Sequence, residues 1–277
     1  MAVCPGCDAS IAELEAKAKQ IRREILEMGI RAGSGHLAPA LSSADIVAVL
    51  YFRIMKINPR NPKDEERDRF ILSAGHKCAV QYAALALAGY FPKDVLNTFL
   101  QYKSILSGHP DSLKTPGVEI PTGSLGHGLP IGVGMALAGK IRKKPYRVFV
   151  LLGDGEVSEG SNWEAASNAS HYHLDNLVGI IDRNRLCADG VTDEVMNLEP
   201  LAERWTKFGW AVRDIDGHNM KQIVETFSSV PFEPGKPSMV IANTIKGKGI
   251  SFMENKVDWH YKAPSAEQAE IARKELS

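Results

Sequence analysis

Two apolar segments of the sequence each lead into a side chain that carries a metal-binding oxygen. Residues 147–152 are followed by a Gly-Asp-Gly turn that contains Asp154, and residues 177–182 are followed closely by Asn184. Magnesium binds oxygen ligands in an octahedron, and it usually takes few of them from the protein and the rest from phosphates and water. We expect Asp154 to supply a carboxylate oxygen, Asn184 an amide oxygen and Leu186 a backbone carbonyl oxygen.

The spacing of these residues, with Asn184 30 positions after Asp154, makes the pattern specific. A tight turn alone would explain Gly-Asp-Gly. Both residues follow predicted strands, however, and ligands of open α/β sheets bind beyond the carboxyl ends of the strands. Gly155 has no side chain, so the backbone there can approach a phosphate closely. The sequence therefore predicts a divalent cation that bridges a diphosphate.

Four histidines occur in loop motifs rather than on the apolar face of a helix. Imidazole exchanges protons near neutral pH, and it can hydrogen-bond sugar hydroxyls and phosphates. One such residue alone would be explained better as a surface or capped loop histidine, whereas four together favour a site. The candidate site residues are His36, His76, His109 and His260, and the histidines interpreted as structural are His127, His171, His173 and His218.

The elements that must position these groups alternate between strands and helices. This order predicts an α/β fold, a parallel sheet with helices on both faces. We interpret residues 1–277 as one domain, with a flexible N-terminus up to about residue 10 and a polar helical tail from about residue 265. The predicted strands are residues 69–73, 147–152, 177–182, 211–215 and 238–244. The predicted helices are residues 10–28, 44–55, 79–88, 92–106, 129–140, 163–173, 200–208 and 220–229.

The charge balance gives no indication of a polyanionic partner. Lys plus Arg and Asp plus Glu each number 33, so neither nucleic acid nor an anionic membrane is expected to bind. No apolar run approaches the roughly 20 residues of a membrane span. The N-terminal sequence resembles neither a signal peptide nor a transit peptide, and we expect a cytoplasmic protein.

The pair Cys4 and Cys7 has motif spacing, as Cys-Pro-Gly-Cys. Such a pair suits a redox site or a zinc site, although it supplies only two of the four ligands of structural zinc. It also precedes every predicted strand. We therefore favour a frayed N-terminus with reduced thiols.

These motifs, taken in order, resemble the N-terminal half of transketolases, which are thiamine diphosphate enzymes. The resemblance extends from about residue 21 to residue 264, and it is most similar in organisation to split transketolases, whose two halves are separate chains. It implies the thiamine-diphosphate-binding fold known as the PP domain. The matching motifs are residues 34–36, 72–76, 107–110, 122–126, 153–156, 159–160 and 246–249, followed by His260.

The resemblance implies the cofactors thiamine diphosphate and Mg²⁺, with Ca²⁺ or Mn²⁺ as substitutes. Asp154, Asn184 and Leu186 are the implied metal ligands. His76 and His260 are implied to contact the diphosphate, and Gly123 and Leu125 to touch the cofactor through backbone and apolar contacts. The residues assigned to cofactor binding are His76, Gly123, Leu125, Gly153, Asp154, Gly155, Glu156, Asn184 and His260.

The catalytic assignments also come from the resemblance. His36 and His109 are implied to face the donor ketose and polarise its carbonyl and hydroxyls, and His260 to lie near the reacting carbon as well. Glu159, together with Glu164, is implied to join a glutamate network across a subunit interface. A carboxylate that stabilises the N-terminus of a helix explains Glu159 about equally well.

The implied reaction is transfer of a two-carbon ketol unit from a ketose phosphate to an aldose phosphate, as in the pentose phosphate pathway. In the family, the glutamate beside the cofactor pyrimidine and the acceptor-phosphate arginines lie on a second α/β domain. We therefore expect a C-terminal partner subunit, with two copies of each chain in a heterotetramer. The alternatives are another thiamine diphosphate reaction, such as deoxyxylulose-phosphate synthesis or 2-oxoacid decarboxylation, and an inactive cofactor-binding module.

Overall fold

In the computed structural model, which describes residues 9–277, five parallel strands form one sheet. The strand order is β1-β2-β3-β5-β4, and each predicted strand is present to within two residues of its expected ends. The parallel sheet that the sequence predicts is thus confirmed. The Cys4–Cys7 pair lies outside the described residues. The strands are β1 Arg69–Leu72, β2 Val148–Gly153, β3 Leu177–Arg183, β4 Ala211–Asp216 and β5 Ser238–Asn243.

Ten α-helices surround the sheet in the described part of the chain. None of them is long and apolar enough to cross a membrane. They are α1 Ile11–Ala32, α2 Leu37–Ser42, α3 Ala44–Val49, α4 Cys78–Ala88, α5 Gly128–Ile141, α6 Gly160–His171, α7 Thr192–Val195, α8 Leu201–Lys207, α9 Met220–Ser228 and α10 Ala266–Glu275. A π-helical turn spans Leu50–Ile54, and 3₁₀ turns span Gly75–Lys77, Lys93–Thr98, Gly155–Ser158 and Val257–Trp259.

The helices cover both faces of the sheet and form a separate hydrophobic core on each. Successive strand residues point to opposite faces. In β2, Phe149 and Leu151 join the core formed with α1, α3, α4 and α9, whereas Val148 and Val150 join the core formed with α5, α6 and α8. All six residues of β2 are buried. The expected helices on both faces are therefore confirmed.

Helix α1 ends just before the first histidine motif, residues 34–36. Ser10 caps its start, because the Ser10 hydroxyl accepts from the Glu13 backbone at 3.3 Å and the Glu13 carboxylate accepts from the Ser10 backbone at 2.7 Å. Gly33 ends the helix in the left-handed region, with φ 63°, where a glycine is least strained. The chain then turns through residues 34–36, which follow directly.

The predicted helix over residues 92–106 is wrong. A 3₁₀ turn, Lys93–Thr98, occupies its start. The backbone then enters the left-handed region at Leu100 and Lys103, with φ of 59° and 63°, which interrupts any right-handed helix. Leu106 is fully buried in the core beside α1 and α4. The helix-like spacing of apolar residues reflects a loop that buries Leu96, Phe99 and Leu106 without forming an α-helix.

The C-terminal helix packs on α1 instead of extending into solvent. Ala269 and Ala272 of α10 are buried, and Arg273 pairs with Glu27 of α1 at 2.6 Å. The Ser265 hydroxyl caps the helix through the Gln268 backbone. A helix was expected here, but its polar sequence did not show that one side would be covered.

Candidate functional site

Strands β2 and β3 bring the predicted metal ligands to one edge of the sheet. The two strands are parallel neighbours, and their register places Gly153 opposite Asp182. Asp154 and Asn184 therefore emerge beside each other, each just beyond the point of pairing. The Asp154 carboxylate accepts hydrogen bonds from the backbone of Gly155, at 2.9 Å, and of Arg185. These backbone donors fix the carboxylate at the carboxyl edge, where the sequence predicts it.

A cavity of about 530 Å³ opens at this edge. Its volume lies in the range of small-molecule and cofactor sites, roughly 300–1,000 Å³. The structure brings together in its wall every residue predicted to bind the cofactor or the metal, and three of the four predicted catalytic residues. The predicted residues that line it are His36, His76, His109, Gly123, Leu125, Gly153, Asp154, Gly155, Glu156, Asn184, Leu186 and His260.

Two glycines keep space at the cavity wall that side chains would fill. A Cβ on Gly155 would lie 3.0 Å from the Cβ of Cys187. A Cβ on Gly123 would lie 2.8 Å from the His109 ring, and the φ of 143° at Gly123 is one that other residues rarely adopt. Glycine at both positions therefore lets Cys187 and His109 pack closely against the backbone of the cavity wall.

The charge state of Asp154 suits a cation. Burial raises the pKa of this carboxyl to about 6, with nearby Asp182 adding to the rise and Lys77 opposing it. A bound divalent cation would favour the ionised form and reverse the effect of burial. The donor set also fits, since Asp154, Asn184 and the Leu186 carbonyl are all oxygen donors. The residues present therefore fit a hard metal ion.

Glu156 supports the cavity wall from inside. Its side chain is 3% exposed, and its carboxylate accepts from the Ser73 hydroxyl, from the Gly126 backbone at 2.9 Å and from the Gly153 backbone at 3.0 Å. Burial raises the pKa of Glu156, although these hydrogen bonds oppose the rise. One carboxylate thus joins the ends of β1 and β2 to the loop before α5.

Three of the predicted histidines form a cluster although they are far apart in sequence. The ring centroids of His36 and His76 are 5.0 Å apart, those of His36 and His260 are 5.3 Å apart, and those of His76 and His260 are 5.5 Å apart. Burial, with nearby cationic groups, lowers the pKa of His36 to about 4, of His76 to about 2 and of His260 to about 3. Each ring is therefore neutral near pH 7 and offers one donor and one acceptor.

Lys246 fixes the orientation of His260, and the sequence alone did not assign it a role. This fully buried ammonium donates to the carbonyls of Leu186 and Cys187, at 3.3 and 3.1 Å, and to Nδ1 of His260 at 2.9 Å. Because an ammonium can only donate, Nδ1 must accept, and the neutral ring holds its proton on Nε2. Burial, with repulsion from Lys77, lowers the pKa of Lys246 to about 8.

A buried ion pair lies behind the strand ends and was also missed from the sequence. Lys77 Nζ lies 2.6 Å from Asp182 Oδ2, and both side chains are almost fully buried. Burial would raise the pKa of Asp182, but the attraction of Lys77 and the hydrogen bonds to the carboxylate lower it overall. The detectable signal was a charged residue at the end of an otherwise apolar strand.

Comparison with known sequences decides the family. Residues 15–277 match the family described as "Transketolase, thiamine diphosphate binding domain". The chain belongs to the transketolase family. It is 46% identical over 264 residues to one of the subunits of the apulose-4-phosphate transketolase of Phocaeicola vulgatus, an alignment that covers 95% of this chain and 94% of that one. It is 44% identical to a 6-deoxy-6-sulfo-D-fructose transketolase subunit of a Clostridium species, covering 95% and 96%.

Full-length transketolases match over part of their length. Human transketolase is 39% identical, and the alignment covers 95% of this chain but 42% of the human one. The solved transketolase of Leishmania mexicana superposes with a TM-score of 0.89 at 31% identity, covering 97% of this chain and 41% of that one. The chain is thus a transketolase subunit of the N-terminal, thiamine diphosphate binding type, and the predicted fold, family and transferase class are confirmed.

Glu159 is the predicted catalytic residue that the transketolase cavity does not include. It is exposed at the start of α6 and makes no capping hydrogen bond with its side chain. Its Cβ packs beside Gly126, where an added Cβ would lie 2.5 Å away. The position leaves Glu159 on the outer surface, and its role at a subunit interface stays a prediction.

Proposed function

We propose that this chain binds thiamine diphosphate together with a divalent cation, Mg²⁺ with Ca²⁺ or Mn²⁺ as substitutes, at the carboxyl edge of β2 and β3. The observation that carries the proposal is the meeting of the Asp154 and Asn184 oxygens in one cavity with the neutral histidine cluster. Asp154, Asn184 and the Leu186 carbonyl would hold the cation. Leu186 already accepts from Lys246, but a carbonyl oxygen has a second lone pair for the metal.

Two of the histidines would bind the cofactor, and the other two would bind the donor sugar. When bound, thiamine diphosphate supplies the carbon nucleophile and the electron sink for ketol transfer. His76 and His260 would hydrogen-bond the diphosphate, for which His260 has its Nε2 proton available. His36 and His109 would orient the donor through its carbonyl and hydroxyls, since the neutral imidazole of His36 can donate at one nitrogen and accept at the other, and His109 lines the same cavity.

The donor is an anionic ketose in this proposal. The similar subunits carry the names of one phosphorylated and one sulfonated sugar, so the group at the far end of the sugar differs among relatives. A transfer from a ketose phosphate to an aldose phosphate, as in the pentose phosphate pathway, is the form that the sequence resemblance implies. The acceptor sugar would be selected by residues that we assign to the partner subunit.

We also propose that the active enzyme is a cytoplasmic assembly with a C-terminal transketolase subunit, two copies of each chain. Two relatives that match along nearly their whole length are themselves named as single subunits of a transketolase, which supports a second polypeptide. Within residues 9–277, no carboxylate other than those of the strand edge has been assigned to the cofactor. The partner would provide the glutamate that activates the pyrimidine and would cover the open side of the cavity. Glu159 would meet its counterpart at the resulting interface.

Reconstitution tests this function. The purified chain should show no ketol transfer and weak binding of thiamine diphosphate, and addition of the C-terminal subunit should restore both. The reconstituted complex should also give a larger particle by light scattering. Full transfer by the chain alone would contradict the need for a partner. Decarboxylation of 2-oxoacids without ketol transfer by the complex would contradict the reaction.

A further inference from the structure

Lys77 is a buried ammonium at the cavity with most of its hydrogen-bonding capacity unused. The residue is 2% exposed and lines the cavity. An ammonium has three N–H donors. Within residues 9–277, the hydrogen bond found for Lys77 Nζ is the one to Asp182 Oδ2, at 2.6 Å. Because a buried donor without an acceptor is costly, this geometry leaves room for a further anionic or carbonyl acceptor.

The second buried lysine of the site provides the contrast. Lys246 donates to three acceptors, the carbonyls of Leu186 and Cys187 and the ring of His260. Its donors are fully used by the protein. Lys77 and Lys246 are thus similarly buried, but they differ in how many of their N–H donors the protein uses. Lys77 is the one with donors left for a ligand.

The Lys77 ammonium lies at the end of β2. Its Nζ lies 3.8 Å from the point where a Cβ on Gly153 would be, so it sits beside the strand end that leads into Asp154. Gly153 carries no side chain that could block the approach of the ammonium to this edge. This is the edge to which the diphosphate is assigned above.

Asp182 does not depend on Lys77 alone for its partners. Its carboxylate also accepts from the hydroxyls of Ser42, at 2.5 Å, of Ser43, at 2.7 Å, and of Thr244. These hydroxyls would continue to stabilise the carboxylate if Lys77 also bound a second anion. Asp182 therefore acts as a buried support that orients the ammonium towards the strand edge.

We propose that Lys77 is a diphosphate ligand, whose ammonium, oriented by Asp182, donates to a phosphate oxygen and shares the neutralisation of the diphosphate with the divalent cation. The inference rests on the proposed cofactor site. It assigns two cations to the diphosphate, a metal ion held by Asp154 and Asn184 and a fixed ammonium beside Gly153. The competing interpretation is that the Lys77–Asp182 pair only holds β3 to the turn before α4.

Calorimetric titration of the reconstituted complex distinguishes the two interpretations. The probes are thiamine diphosphate and inorganic pyrophosphate, each with Mg²⁺. Lys77→Gln should weaken both about ten- to a hundredfold, the range that hydrogen bonds to charged groups contribute. Asp182→Asn breaks the ion pair but keeps the ammonium, so it should weaken both probes less. If the pair were purely structural, the two variants would lose affinity to a similar extent. Each loss of affinity would then follow the fall in melting temperature of that variant.

A further variant covers the case in which Lys77→Gln fails to fold. Lys77→Met combined with Asp182→Asn removes both charges, and replacing a buried pair by neutral groups is often tolerated. This double variant should melt near the wild-type temperature and still lose affinity for pyrophosphate. Unchanged affinity in a folded variant without Lys77 would overturn the inference and leave the cofactor site intact. Failure of the wild-type complex to bind thiamine diphosphate with Mg²⁺ would instead overturn the proposed function.

Discussion

The two sides of the cavity are built in different ways. On the metal side, Asp154 and Asn184 follow two strands that pair over six consecutive positions, so the backbone ladder sets their separation. On the histidine side, His36, His76 and His260 come from three loops, and their rings meet at centroid distances of 5.0 to 5.5 Å. The first arrangement depends on local pairing, whereas the second requires the N-terminal and C-terminal parts of the described chain to pack together.

The contacts that hold the histidine side show what this packing consists of. The ring centroids of His36 and Tyr261 are 4.6 Å apart, and the Ser34 hydroxyl donates a hydrogen bond to the Tyr261 hydroxyl at 2.6 Å. Lys246 holds His260 in turn. A few side-chain contacts thus replace the ladder of hydrogen bonds that fixes the metal side. We expect changes on the metal side to affect cofactor binding, and changes at the two histidines assigned to the donor, His36 and His109, to affect turnover.

The largest effect is expected at the metal side. Asp154→Ala in the reconstituted complex should abolish Mg²⁺-dependent binding of thiamine diphosphate, a loss of at least about a hundredfold in affinity, because it removes the only carboxylate assigned to the ion. Asn184→Ala should cause a smaller loss. Titration calorimetry measures both. Asp189→Ala is the control, because Asp189 also lines the cavity but is exposed and carries no assigned role. Unchanged affinity in both site variants would refute the assignment.

At the two histidines assigned to the donor, we expect a loss of turnover without a loss of cofactor. His36→Ala or His109→Ala should lower kcat with ketose donors about a hundredfold or more, the contribution typical of a positioned acid or base. The affinity for thiamine diphosphate should stay near normal. Steady-state kinetics and titration together test this, with His171→Ala on the exposed side of α6 as control. Variants that lose the cofactor but keep normal donor kinetics would reverse the roles.

Glu156 joins the two sides, so its replacement should have an intermediate effect on both. Glu156→Gln keeps the shape of the side chain but replaces one acceptor oxygen by an amide NH₂ group. This group then faces backbone N–H donors, at a cost of about 1–3 kcal/mol. We expect a lower melting temperature and roughly tenfold weaker binding of thiamine diphosphate. Thermal unfolding and titration measure these effects. Glu203→Gln, at an exposed position on α8 outside the cavity, should change neither.

The last expected effect is a pH dependence of stability that comes from the histidine side. The pKa values of His36, His76 and His260 are lowered from 6.5 to about 4, 2 and 3. Below about pH 6.5 the unfolded chain therefore binds protons that the folded chain does not, so stability falls as the pH falls through this window. The pKa of Asp154, raised from 3.8 to about 6, acts in the opposite direction between those values.

Urea unfolding without cofactor tests this dependence. The midpoint should rise between about pH 5 and pH 6.5, because three histidines outweigh the two carboxyls, Asp154 and Glu156, that oppose them. His76→Asn should make the rise shallower, since it removes the histidine with the lowest pKa. A wild-type midpoint that is constant over this range would show that the rings stay as accessible to protons as in the unfolded chain.

Much of the metal side could be predicted from the sequence. The apolar strands, the Gly-Asp-Gly turn and the position of Asn184 are local signals, because strand period and glycine chemistry act over a few residues. Once parallel pairing is assumed, the common edge follows directly. The four site histidines could also be selected by their motifs, and all four line the cavity.

The tertiary structure alone decided which distant side chains meet. Lys77 and Asp182 are 105 positions apart, and their ion pair depends on how the turn before α4 packs behind β3. Tertiary packing also made residues 92–106 a partly buried loop instead of a helix, left Glu159 exposed and placed Lys246 within hydrogen-bonding distance of His260. Sequence patterns record the local preferences of the backbone, but the partner of a buried charge is set by the whole fold, since only tertiary burial makes that partner necessary.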